Sequence, residues 1–188
     1  AILVPNTNKI PIMKAQKLSI LTHSTLLITT IIFAYIWLNT PVLTNYALQA
    51  FALSSLGFIL IKRLNKAKIW HILPENHSYE MIFITFSTLL LVGATGNTES
   101  IFYPLTYIHL FFLVMSSREQ TAISVTTATI IFHYAMEPVI ASSTIATIAT
   151  LPLMLLFFLF AKKQYDDAQV SHSIIKKEEK EIENLSKQ

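Results

Sequence analysis

His133 and Glu137 stand four residues apart at the end of an apolar stretch, a spacing that puts both side chains on one face of a helix. His109, in the preceding apolar stretch, can approach them from a neighbouring helix. Two imidazoles and a carboxylate can hold a divalent metal, and a His with a carboxylate beside it is the start of a catalytic pair. A third arrangement asks for less: Glu137 fixes the tautomer of His133 near the outer end of its helix. This last reading is adopted, because neither a denser ligand cluster nor a nucleophile accompanies the pair. No catalytic residue, metal or cofactor is therefore assigned. The chain has no Cys, which excludes disulfides and thiolate metal sites.

The elements that carry these residues follow from composition. Hydrophobic residues make up 53% of the chain and charged residues 13%, against about 25% charged in an ordinary soluble domain. The fourteen Lys and Arg residues fall beside alternate connections between charge-free runs. Lys9, Lys14 and Lys17 precede the first run, and Lys62, Arg63, Lys66 and Lys68 follow the second. Arg118 separates the fourth from the fifth, and Lys162 and Lys163 follow the sixth. The intervening connections, Asn39 to Asn45, Asn97 to Ser100 and Glu137 to Thr144, carry no Lys or Arg. Basic loops stay on the cytoplasmic side, so the pattern predicts an all-α polytopic membrane protein with six transmembrane helices and both termini in the cytoplasm. Residues 1–17 form a cytoplasmic segment, 18–161 the membrane domain and 162–188 a cytoplasmic, coiled-coil-like helix. The lipid bilayer is the first expected partner. Nucleic acid is not one, since the basic residues sit where orientation and anionic headgroups both place them.

From Leu18 to Ile61 there is no charged residue, a length suited to two spans, and the break falls at Asn39-Thr40-Pro41. The third span is expected from about Met81 to Gly96, the fourth from Ile101 to Ser116, the fifth from Gln120 to Met136 and the sixth from Ile145 to Ala161. The Thr-rich face of the fifth span reads as helix packing rather than a polar path. Tyr103, Tyr107 and Tyr134 read as an outer aromatic belt, and the segment between Lys62 and Glu80, with Trp70 and His71, as lying in the cytoplasmic interface.

Of three glycines, Gly93 and Gly96 bracket the outer end of the third span. Gly96-Asn97 suits the positive φ that a very short helix reversal needs. Here Thr95, Gly96, Asn97, Ser100, Ile101, Phe102 and Leu105 resemble a Thr-Gly-Gly, Ser-Pro-Phe, Leu pattern found between the third and fourth spans of six-span bacterial sensor histidine kinases, with departures at Asn97 and Ile101. The resemblance implies that Thr95, Gly96, Asn97, Ser100 and Phe102 form an outer sensing surface, with Tyr103, His109, His133 and Glu137 nearby. It also implies a bacterial cytoplasmic membrane.

After Ala161 the chain turns polar, with no Gly or Pro from Lys162 to Gln188. A seven-residue frame aligns Ala168, Ile175 and Ile182, with Leu185 in the second, mostly polar column. A parallel homodimer through this helix is expected. The ending Glu181 to Gln188 resembles the linker ahead of the phosphoacceptor helix in sensor histidine kinases, so a response regulator is a partner only through a kinase module absent from this chain. The reading is a membrane sensor that relays a stimulus through the sixth span. A small transporter, a subunit of a larger membrane complex, an intramembrane enzyme, or a sensor feeding a cyclic-dinucleotide synthase are the alternatives.

Overall fold

A computed structural model describes residues 9–66 and 77–186; most of the connection from Lys62 to Glu80 lies outside them. Among the described residues the chain is all-helical, with seven α-helices, one 3-10 turn and no strand. Helix α1 runs Lys9–Asn39, α2 Pro41–Thr44, α3 Ala47–Lys66 and α4 His77–Ala94. The 3-10 turn Asn97–Glu99 leads to α5 at Pro104–Ser116, followed by α6 at Glu119–Met136 and α7 at Ser142–Ser186.

The helix ends have local causes. Thr40, ahead of Pro41, is extended at φ −90° and ψ 117°, which stops α1 and lets the one-turn α2 begin on the proline. The fourth apolar helix starts at Pro104, not at Ile101 as expected, because Ile101 to Tyr103 are used in the turn that reverses the chain. Thirteen residues remain in α5, about 20 Å of helix at 1.5 Å per residue. Among the described residues two helices are long and apolar enough to cross a membrane, within Leu21–Asn39 and Ser142–Lys176. Ala47–Leu60, Tyr79–Ala94 and Pro104–Ser116 are shorter apolar stretches.

Leu27, Ile31, Ala34 and Leu38 recur at helical spacing along α1 and form the stripe it buries against α4 and α6. Leu89 and Leu90 of α4, Leu110 and Leu113 of α5, Val125 and Phe132 of α6, and Leu151 of α7 complete one apolar core. Helix α4 packs on α1, α3 and α5, and α7 packs on α5 and α6; α3 rests chiefly on α4. Many large apolar side chains face outward, including Leu53, Leu56, Ile131, Leu156 and Phe157. Beyond Ala161, α7 leaves the bundle without a break, and every described side chain from Lys163 onward is exposed.

Gly93 marks a close approach of α1 to α4, where a Cβ would overlap the Leu38 side chain and meet the Phe132 ring at 3.5 Å. Gly93→Val should therefore destabilise the bundle by about 1–3 kcal/mol, as overpacking does. Adding Leu38→Ala should recover part of that loss, because the two side chains compete for one space. Thermal unfolding in detergent reads both. A Gly93→Val protein as stable as the parent would contradict the packing of α1 on α4.

Candidate functional site

The reversal between α4 and α5 is built on two consecutive left-handed residues, Gly96 at φ 115° and Asn97 at φ 53°. Gly96 adopts this without penalty, and Asn is among the few side chains that tolerate it. Thr95 and Ser100 close the turn from either side, their hydroxyls 2.5 Å apart. Thr95 Oγ1 donates to Leu91 O at 2.6 Å, so the Ser100 hydroxyl donates to Thr95 while accepting from the Phe102 amide at 3.0 Å. The residues that carry the sensor-kinase resemblance thus make a clasp. Phe102 itself projects outward beside Ile101, which is 85% exposed.

Asn97 points inward and is buried. Its Nδ2 donates to Glu137 Oε1 at 2.5 Å and to His133 O at 2.8 Å. Both of those partners only accept, so Asn97 Oδ1 is the acceptor for His133 Nδ1, at 2.6 Å. In the neutral imidazole the proton therefore sits on Nδ1, and Nε2 is a buried lone pair with no partner among the described residues. Glu137 Oε1 also accepts from the Thr98 amide at 3.2 Å and the Thr98 hydroxyl at 2.5 Å, which ties the carboxylate to the start of the 3-10 turn.

This arrangement corrects the expectation from spacing. Glu137 does not share a helix face with His133, because α6 ends at Met136 and Glu137 is extended at φ −82° and ψ 124°. The carboxylate governs the His133 tautomer only through the amide of Asn97. His109 is committed elsewhere, its Nε2 2.8 Å from Thr85 Oγ1 on α4. Among the described residues no three His, Cys, Asp or Glu side chains are grouped to hold a metal ion.

Tyr103 is buried and Tyr107 packs half-buried against the core. Tyr103 is 4% exposed, and its ring centroid lies 5.2 Å from that of His133 and 5.6 Å from that of Tyr107. Tyr107 OH donates to Thr150 Oγ1 at 2.6 Å, since the Thr150 hydroxyl is itself spent on Thr147 O at 2.5 Å. Tyr103 OH reaches the same Thr147 carbonyl at 3.5 Å. Both contacts fall on α7 just ahead of Pro152, which lacks the N–H that would bond Ile148 O and so loosens the helix there. Tyr134 is exposed. Nearby, Thr106, His109, Thr126, Thr129 and Leu151 are among the residues lining a small space of about 10 Å³.

At the opposite end of the bundle Lys162 of α7 donates to Val114 O at 2.9 Å and Ser117 O at 2.5 Å, neutralising the carbonyl end of α5. His23 Nε2 stands 3.4 Å from Ser117 Oγ, and Ser24 donates to Thr121 at 2.9 Å. These contacts, with Thr85, Thr98, Thr147 and Thr150, were not evident from sequence; only the habit of Lys to cap helix C-termini hinted at Lys162. Ala168, Ile175 and Ile182 are exposed on the stem, and the side chain of Leu185 lies outside the described residues.

No family model matches the chain, and neither curated proteins nor solved structures show a similar one. The site is therefore read from its own geometry.

Asn97→Ala removes the bonds to His133 and Glu137 and leaves at positive φ a side chain with no polar group to favour that conformation, so a loss of about 2–4 kcal/mol is expected. Asn97→Gly keeps the backbone conformation and should recover about 1 kcal/mol of it. Thermal unfolding of the two variants in one detergent separates the contributions. Equal midpoints would show that the left-handed turn contributes nothing.

Proposed function

We propose that this chain is the membrane sensing and signal-relay portion of a larger receptor, a six-span bundle whose outer polar cluster controls the position of α7. The observation that carries this reading is the continuity of α7. Its 45 residues, about 68 Å of helix, pass the outer cluster, the bundle core and the exposed stem without a break. A chain of contacts leads from the cluster to that helix: Asn97 to His133 on α6, the Tyr103 ring against His133, and the Tyr103 and Tyr107 hydroxyls to Thr147 and Thr150 on α7.

Six spans suit the alternation of basic and Lys/Arg-free connections and the outward apolar faces of the helices. The 13-residue α5 is short for a hydrocarbon core of about 30 Å. In this arrangement the Gly96-Asn97 reversal lies sunk below the outer membrane surface, and its polar groups are satisfied by one another and by Glu137, as burial away from water requires. A stimulus that binds at, or deforms, this reversal changes which packing of α7 is favoured, by no more than its difference in affinity for the two packings. The stem then carries the movement to a kinase module or another output enzyme, with a second copy of the chain alongside through Ala168, Ile175 and Ile182. The Thr-rich face of α6 gives a small transporter less support, because Thr126 and Thr129 spend their hydroxyls on Ala122 O and Val125 O of their own helix.

The chain has no natural Cys, so single cysteines report cleanly. In lipid vesicles, Ala168→Cys, Ile175→Cys and Ile182→Cys should crosslink between chains well above cysteines at intervening positions. Asn97→Gly, which unhooks the reversal from His133, should change the relative efficiency at those three sites. No crosslinking at Ile175 and Ile182, or a pattern indifferent to Asn97→Gly, would contradict the relay.

A further inference from the structure

The bundle carries a second built feature on the face farthest from α7. Helix α3 leans on α4 alone among the long helices with extensive contact, and between them runs an open groove of about 230 Å³. Its walls are the rings of Phe58 and Phe83, tilted by 32° with centroids 5.5 Å apart, with Ile59, Ile84 and the small residue Ser55, and Leu105 of α5 also lines it. Small residues on α3 and α4 leave the space open: Ser54 and Ser87 turn their hydroxyls to each other at 3.0 Å and contribute no bulk.

The end of this groove nearest the α3 C-terminus is cationic by helix geometry. Lys62 and Arg63 follow Phe58 and Ile59 by four residues, so each cation sits one turn beyond a groove-lining side chain on the same face. The Lys62 ammonium stands 5.8 Å from the centroid of the Phe58 ring and pairs with Glu80 of α4 at 3.2 Å. Glu80 therefore accounts for the charge of Lys62. Arg63 is exposed and has no partner among the described residues, and the sequence adds Lys66 and Lys68 immediately after it.

We propose that this groove seats one anionic glycerophospholipid, with an acyl chain along Phe58 and Phe83 and the phosphate at Arg63. The proposal rests on the six-span reading, which places Arg63 at the cytoplasmic headgroup level. Arg63 can hold the phosphate of either kind of head one turn from an apolar slot, but the cationic mouth repels a choline ammonium, so a net negative head is favoured over a zwitterionic one of equal tail. A second copy docked in parallel on the same groove would bring its own Lys62 and Arg63 toward the same mouth, which like charge disfavours. The occupant would also brace α3, which otherwise depends on α4, and so make bundle stability depend on headgroup charge.

Native mass spectrometry from micelles supplied with equal phosphatidylglycerol and phosphatidylcholine tests this directly. The protein should retain one phosphatidylglycerol in preference to phosphatidylcholine. Arg63→Gln, an exposed position unconnected to the core, should weaken that retention about fivefold. Ser55→Phe, which fills the groove, should abolish retention of both lipids while Arg63→Lys keeps most of it. Equal retention of the two lipids, or retention indifferent to Arg63→Gln and Ser55→Phe, overturns the lipid site alone. Release of the protein from vesicles by alkaline carbonate overturns the six-span reading and the lipid site together.

Discussion

The end of the bundle that holds the α4–α5 reversal depends on the amide of Asn97. A chain that reverses direction in a few residues exposes backbone and side-chain polar groups at the place where two apolar helices meet, and each must find a partner. Asn97 does this from the left-handed conformation, donating to Glu137 and the His133 carbonyl and accepting from the His133 ring. One side chain therefore sets the tautomer of a buried imidazole, holds a carboxylate at the 3-10 turn and joins α6 to the α4–α5 reversal.

Mechanical consequences follow from what leans on that imidazole. Tyr103 packs its ring on His133 and sends its hydroxyl to Thr147, one turn ahead of the only proline within α7. At the far end Lys162 clamps α7 to the carbonyl end of α5. Helix α7 is thus gripped at two levels, with the apolar contacts of Leu151 and Leu155 between them and a locally weakened ladder at Pro152. In the proposed relay, a helix held this way would respond to a change at one grip by tilting or turning about the other. The stem, free of other contacts among its described residues, would follow.

Much of the fold was legible because its causes are local. Charge-free runs located the helices, Pro41 ended the first, and Gly96-Asn97 announced the left-handed reversal. The site was legible only in part. Spacing grouped His133 with Glu137, yet the helix stops between them and the carboxylate turns to Thr98 instead. Tyr103 read as a surface anchor because its type is common there, whereas its burial is decided by α7, more than forty residues later in the chain. Lys162 read as a marker of orientation and serves also as a cap on a helix forty-five residues earlier. Such pairings depend on which helices lie side by side, and apolar periodicity alone does not encode neighbour choice in a bundle.

The central claim is that the reversal at Gly96-Asn97 and the stem beyond Lys162 lie on opposite faces of a bilayer, joined by α7. Single cysteines at Thr44, Glu99 and Ser142, and at Arg63, Arg118 and Lys163, decide it when an impermeant maleimide is applied to intact cells. The first three should label from outside, slowed where the reversal is sunk in the membrane, and the second three only after the membrane is opened. Labelling of Arg63 and Lys163 from opposite sides would contradict the account.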